Sequence, residues 1–347
     1  MRAIDGLQAD VLVIGGGPAG LAAAIAARLK GFDVTVTDAA RPPIDKACGE
    51  GILPAGLEAL RRLGVPLGGD DGFPLRGIRF ISGDSSLEAP FRTGCGVAVR
   101  RLRLHDLLVR RATALGVRLL WGTNMRSTSG LSCCKWIVGA DGQRSRVRQE
   151  ALLDATRSLS TRFGFRRHYN LAPWTDMVEV HWGERCQVYV TPVGPDEIGV
   201  ALLSRDSHLR LDTALCEFPA LERRLRTARL TSTERGAATT SRRLRHVFRG
   251  HTVLIGDASG SVDAITGEGL SLSFLQAFAL ADALAAGDLR AYQAEHRRLS
   301  RDAAIMGNVL LLLDRFPWLR RMVLHGLAFE PWIFSSLLAR HAPGHAA

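Results

Sequence analysis

Three carboxylates stand at the ends of short apolar runs. Asp38 closes Asp33-Val34-Thr35-Val36-Thr37, Asp141 follows Trp136-Ile137-Val138, and Asp257 follows Thr252-Val253-Leu254-Ile255. Each belongs with a glycine turn. Gly15-Gly16-Gly17-Pro18-Ala19-Gly20 precedes the first, Gly139-Ala140-Asp141-Gly142 contains the second, and Gly256 precedes the third. Gly15, Gly17 and Gly20 have GxGxxG spacing: the first permits a tight turn, the second a close backbone approach to a pyrophosphate, the third close helix–strand packing. The helix opening at Pro18-Ala19-Gly20 would aim its free amides at phosphate. Asp38, eighteen residues beyond Gly20, is placed to accept from ribose hydroxyls, and its charge opposes a 2′-phosphate. The spacing predicts a dinucleotide site; a ligand-free glycine turn would not need the strand, helix and acid-ended strand around it.

Other reactive side chains are scattered. Cys48 lies in Lys46-Ala47-Cys48-Gly49-Glu50-Gly51 and either meets a ligand or simply fills a tight turn. His168 and Tyr189 fall on predicted strands, where a base is useful for deprotonating a phenol; each is equally a structural residue. Asp263 and Thr266 precede a helix start at Gly267-Glu268-Gly269, as site residues or as loop caps. His181 falls on either face of its strand. The six cysteines form no CxxC pair and no metal-ligand spacing, and reduced thiols in a cytoplasmic setting follow as the expectation.

The elements that must position these groups read as follows. Residues 10–14 form a buried parallel strand, 18–30 a helix with proline in its first turn and Gly31 beyond its end, and 33–37 a second strand. A loop over 39–53 leads to a short helix at 54–63, strands at 78–82 and 97–100, a helix over 102–115, and strands at 117–121 and 136–138. Alternating strands are predicted at 163–168, 178–182, 187–191 and 198–203. The parallel pattern returns at 252–255, followed by helices over 267–286 and 289–313. The first strand begins too early to leave room for a signal peptide.

The chain has 347 residues, 46% hydrophobic and 23% charged, the balance of a soluble globular enzyme. Its net charge of +11 is carried mostly by arginine, a residue suited to phosphates, carboxylates and aromatic faces. No nucleic-acid motif accompanies it. The densest stretch, 223–249, reads as solvated surface or as a face for an anionic partner. The segment 305–313 is too short to span a bilayer. Residues 316–338 are amphipathic, with Trp318, Trp332 and Phe334 beside Arg315, Arg320 and Arg321. They suit a helical cap, a lid over a greasy pocket, or an interfacial helix on an anionic membrane.

The three motifs, in this order, resemble those of the para-hydroxybenzoate hydroxylase type of flavin-dependent monooxygenase and the related geranylgeranyl reductases, over roughly residues 8 to 285. The resemblance implies an α/β fold. A Rossmann-like FAD-binding domain would comprise residues 1–154 and 246–287, with an inserted β-sheet substrate domain at 155–245 and a helical region at 288–347. It implies FAD as cofactor, held by Gly15, Gly17, Pro18, Ala19, Gly20, Asp38, Lys46, Arg101, Asp141, Gly142, Gly256, Asp257, Gly267 and Gly269. NAD(P)H would be a transient donor positioned near Asp141-Gly142, there being no second GxGxxG. Reduced flavin carries negative charge near N1, and the helix at Gly267-Glu268-Gly269 would aim its positive end there. The KxCGEG stretch resembles a reductase loop at the flavin edge. The W-x-W-x-I-P stretch of tryptophan halogenases is absent.

The activity implied first is monooxygenation of an aromatic or lipophilic metabolite through a flavin C4a-hydroperoxide, with Cys48, His168 and Tyr189 as the catalytic candidates. The alternatives are reduction or formation of a C=C bond, and a flavin-binding scaffold without turnover. A lipophilic small-molecule substrate, no nucleic acid, and membrane contact through the C-terminal helices are the expected partners.

Overall fold

The computed structural model describes residues 9–125, 134–154 and 156–329. Ala9–Ile14 is buried except at Asp10 because it is flanked on both sides, pairing in parallel with Val34–Asp38 and with Cys134–Gly139. The sheet order is Phe248–Arg249, Thr252–Leu254, Cys134–Gly139, Ala9–Ile14, Val34–Asp38, Arg118–Trp121, and only the first of these is antiparallel to its neighbour. Both faces are covered, which is why these strands are apolar without alternation.

Helix α1 (Pro18–Leu29) follows the first strand, and its alanines allow close packing on α7 (Gly269–Ala286). Between them in sequence lie α2 (Pro54–Arg62), α3 (Arg101–Ala114), the short α4 (Arg146–Glu150), α5 (Leu211–Leu215) and α6 (Pro219–Leu225). α7 is long and apolar enough to cross a bilayer, but half of it is buried against α1, α2 and α8 (Leu289–Arg315), as a core helix is. α8 ends before Pro317, which opens α9 (Pro317–Phe329).

The second sheet runs Arg229–Leu230, Thr156–Asn170, Glu197–Ser204, Cys186–Gly194, Met177–Trp182, Gly77–Ser82, Ser85–Pro90, with Arg235–Leu244 also paired to Thr156–Asn170. Alternation sorts its two faces. Val188, Val190, Val200 and Leu202 pack on α5 and α6, while Val180, Trp182, Leu203 and Tyr189 face α8, α9 and Ile265. Three features differ from the sequence reading. Gly77–Ser82 and Ser85–Pro90 lie within the range assigned to the first domain, yet they extend this sheet, because Gly77–Ser82 adds in parallel to Met177–Trp182. Arg235–Leu244 is a strand whose arginines hid its pattern. A small third sheet joins Gly51–Ile52, Gly96–Ala98 and Phe73–Leu75. Cys133, Trp332 and Phe334 lie outside the described residues, as do residues 330–338 of the amphipathic stretch.

Candidate active site

A cavity of about 1210 Å³ runs from the first glycine turn to the inner face of the second sheet. That exceeds the roughly 300–1,000 Å³ of an ordinary ligand pocket. Gly15 has φ +115°, and a Cβ there would overlap the Ala140 carbonyl, so the turn and the second motif touch backbone to backbone. A Cβ on Gly20 would strike the Gly15 carbonyl. By contrast, Gly17, Gly49, Gly142, Gly267 and Gly269 all line the cavity, and a Cβ on any of them meets no protein atom within 4 Å. Bare backbone therefore faces the cavity from four separate stretches of chain. The Asp38 carboxylate accepts from the amides of Gly16 and Ala40, each at 2.7 Å, and lines the cavity.

Asp141 does a second job. It caps α4 by accepting from the Arg146 amide at 2.7 Å, leaving its Oδ1 buried without a partner. Asp257 stands in a single 3₁₀ turn, Gly256–Ser259, and pairs with Lys46 at 3.4 Å across the cavity mouth. Lys46, Cys48 and Arg101 also line the cavity. The Cys48 Sγ accepts from the Glu50 amide at 3.3 Å. Glu50 itself has φ +62°, a strained region for a residue with a side chain, and is held from two sides. Its carboxylate accepts from the Arg101 amide at 2.8 Å and contacts His168 Nε2 at 2.6 Å.

On the far wall, Arg162 reaches from the second sheet to Asp263 at 3.1 Å, to Asp314 of α8 at 2.8 Å, and to Gln187 at 3.1 Å. Gln187 also donates to Asp314. Burial alone would favour losing the Arg162 proton; the Asp263 and Asp314 charges reverse this and hold its pKa above the ordinary value. Asp263 also accepts from the Ile265 amide, capping the turn Ala264–Thr266 that precedes α7. Glu268 follows, 8% exposed, its Oε2 unpartnered; burial, reinforced by the Asp302 charge, pushes its pKa up to about 7.

Of the sequence candidates, Gly15, Gly17, Pro18, Ala19, Asp38, Lys46, Cys48, Arg101, Asp141, Gly142, Tyr189, Gly256, Asp257, Gly267 and Gly269 share this one cavity, with Asp263 and Thr266. Gly20 supports it from beneath. His168 corrects the expectation that it faces the cavity. Its side chain is fully buried outside the lining, and Glu50 and Ser232 engage its two ring nitrogens. Tyr189 does reach the cavity, but its hydroxyl donates to the Ile265 carbonyl at 3.1 Å, and burial pushes its pKa far up, so it is a donor and not a base. His181 pairs with Glu179 and is not part of the lining. Sequence reasoning missed three supports. His105, four residues after Arg101 on α3, contacts the Gly16 carbonyl through Nε2 at 2.9 Å, and burial lowers its pKa. The others are Glu50, an acid between two glycines, and Arg162, whose partners lie too far along the chain to give a local signal.

Four backbone stretches bared to one elongated cavity, an acid at the ribose position and a helix N-terminus at the far end fit FAD. The dinucleotide would lie on Gly15, Gly17, Asp38 and Asp257, with its ring at Gly267 and Gly269. The fold and the site define an FAD-dependent oxidoreductase. The chain belongs to the FAD binding domain family, which matches residues 8–301. It is similar to a menaquinone reductase of Mycobacterium tuberculosis, 31% identical over 76% of this chain and 73% of the relative. It is also similar to 6-methylpretetramide 4-monooxygenase of Streptomyces rimosus, 34% identical over 42% and 41%. Among solved structures, a flavin-dependent brominase superposes with TM-score 0.81 at 18% identity, covering 97% of this chain and 94% of the other. The tetrameric form of 2-methyl-3-hydroxypyridine-5-carboxylic acid oxygenase gives 0.74 at 22%, covering 89% and 93%. These last two speak for the fold.

Proposed function

We propose that this FAD-dependent oxidoreductase reduces a carbon–carbon double bond in a long lipophilic substrate. The observation that carries the reading is the wall of the cavity beyond the glycine cradle. Ile78, Phe80, Val178, Val180, Leu203, Ile265 and Leu310 make it apolar, and a free thiol, Cys48, lines the cavity from the opposite loop. Neither residue expected to activate a phenol serves as a base, since His168 is outside the lining and Tyr189 is a committed donor. A thiol beside an oxygenating centre is itself an oxidation target. The similarity to menaquinone reductases spans most of both chains, which supports a substrate with an unsaturated isoprenoid tail. When bound and reduced, FAD would supply the hydride, and a proton drawn ultimately from solvent would complete the second C–H bond. The chain's own part is to exclude water with the apolar wall, hold the ring on the bared glycines and orient the tail along the second sheet.

Monooxygenation is the second reading, favoured by the similarity to 6-methylpretetramide 4-monooxygenase. One experiment separates the two. The FAD-loaded protein is reduced anaerobically and mixed with menaquinone, and the products are weighed by mass spectrometry. A gain of two hydrogens without O2 that persists after the protein is removed and the quinol is reoxidised in air, and therefore lies in the side chain and not in the quinone ring, supports the reductase. No anaerobic product, with O2-dependent gain of one oxygen on a phenolic or polyketide probe, overturns it. NADH and NADPH are compared as donors in the same cuvette.

A membrane surface is where such a substrate would be met. Ile305, Val309 and Leu312 of α8 are 42–48% exposed at spacings of four and three, and Trp318 and Met322 of α9 are 61% and 58% exposed at a spacing of four. Arg315 and Arg321 are exposed beside them. An apolar stripe flanked by arginine, on a chain of net charge +11, suits an anionic bilayer. The protein is expected to float with phosphatidylglycerol vesicles and not with phosphatidylcholine vesicles. Trp318→Ser with Met322→Ser should leave it at the bottom of the gradient. Equal flotation of that double variant would refute the contact.

A further inference from the structure

Glu268 forms no side-chain ion pair among the described residues. It follows Gly267, whose φ is +67°, at the N-terminus of α7. Its side chain lines the cavity, its Oε2 is enclosed without a hydrogen-bond partner, and it makes no capping bond to its own helix. The charged groups around it offer no compensation. From α8 comes Asp302, whose negative charge reinforces the burial. Beside the turn Ala264–Thr266, Asp263 is already committed to Arg162, and across the cavity Lys46 is committed to Asp257. The first turn of α7 contains no charged residue. Arg297 and Arg301 of α8 line the cavity but form no ion pair with Glu268 among the described residues.

A buried carboxyl with one oxygen enclosed without a donor, and with no ion pair among the described residues, is held most cheaply as the neutral acid. The same helix end faces the position where the FAD reading places the ring, and two-electron reduction puts negative charge on that ring. We propose that Glu268 is a redox-linked proton site, taking up a proton as the ring at the N-terminus of α7 becomes negative. This rests on the FAD reading and adds to it a residue that keeps this end of the cavity neutral. The balance is simple. Two electrons and one proton convert the oxidised ring to its reduced anion; a second proton from water converts the Glu268 carboxylate to the acid.

The sign follows. With the ring oxidised, Glu268 ionises near pH 7 or above. A reduced, negative ring raises its proton affinity further. Proton uptake on reduction is therefore confined to a window above about pH 7, and below that window Glu268 is neutral in both states.

The test is the midpoint potential of the FAD-loaded full chain, titrated with dithionite and mediators from about pH 6 to about pH 9, spanning the acid and alkaline sides of the window. Within the window the wild-type potential should fall by about 30 mV per pH unit more steeply than below it, one extra proton per two electrons. Glu268→Gln should lose the extra slope, matching the wild type at acid pH and lying above it at alkaline pH. Asp302→Asn should move the window to lower pH, a shift that a merely structural residue would not produce. Superimposed curves for wild type and Glu268→Gln overturn the proposal while leaving bound FAD, and so the cofactor reading, intact. A chain that takes up no FAD overturns both. If Glu268→Gln does not fold, Asp302→Asn decides by the same shift. The infrared carbonyl band of a carboxylic acid decides as well. Glu268 already ionised at about pH 6 in the cofactor-free chain would sink the proposal, because the carboxyl would then be an ordinary one.

Discussion

Gly17→Ala protein should emerge from purification as stable as the wild-type cofactor-free chain but largely stripped of FAD. The two halves of that expectation come from different observations. Gly17 has ordinary extended torsions, φ −73° and ψ 177°, and a Cβ there meets no protein atom within 4 Å, so folding is not strained. The methyl group would instead project into the cavity where the pyrophosphate is expected. Forcing an extra carbon into a close contact costs about 1–3 kcal/mol, or roughly 5–150-fold in Kd. Gly15→Ala makes the contrast. Its φ of +115° and its overlap with the Ala140 carbonyl should lower the melting temperature of the cofactor-free chain as well as FAD binding. Flavin absorbance per protein after gel filtration, with a thermal melt of each cofactor-free variant, reads both. A fully yellow Gly17→Ala protein would move the cofactor away from this turn.

That contrast also shows what the sequence could carry. A glycine turn between an apolar strand and an alanine-rich helix is a local statement, written within about fifteen residues, and so is each of the other two motifs. All three were legible, and the structure brings them to one cavity. What positions the second wall is not local. Arg162 reaches Asp263 and Asp314, residues 101 and 152 positions away, and nothing near Arg162 marks it as more than one arginine among many. His168 was misplaced for a related reason. Period-two alternation allots a side chain to one face or the other, but which face looks into a cavity depends on what packs there. Here Glu50, 118 residues earlier, claims the ring. The strands Gly77–Ser82 and Ser85–Pro90 were drawn into the second sheet by pairing, a choice that composition does not encode.

Arg162→Met should be the most destabilising single change on the cavity wall. The guanidinium is 2% exposed and answers two carboxylates, Asp263 at 3% and Asp314 at 14% side-chain exposure. Removing one partner of a buried ionic cluster leaves the others uncompensated and costs about 3–5 kcal/mol, a large part of the roughly 5–15 kcal/mol that holds a typical protein folded. The expected result is a fall in the denaturant midpoint with unchanged m-value. The double variant Arg162→Met with Asp263→Asn should recover part of it, since the amide removes the carboxylate charge that loses its cation. After the change Asp314 keeps the Arg205 guanidinium at 3.2 Å and the Gln187 amide, whereas Asp263 keeps only neutral donors, among them Ser160 and Ser241 at 2.8 and 3.3 Å, so Asp263 is the more stranded carboxylate. The consequence reaches function because this cluster ties α8 to the second sheet, and α8 closes the apolar end of the cavity with Met306 and Leu310. Loosening it should admit water where the wall now excludes it, and reoxidation of reduced flavin by O2 should quicken even in molecules that remain folded. A variant with wild-type stability and wild-type reoxidation would mean that the α8 contacts in Met306, Leu310 and Leu313 hold that wall without the ionic cluster.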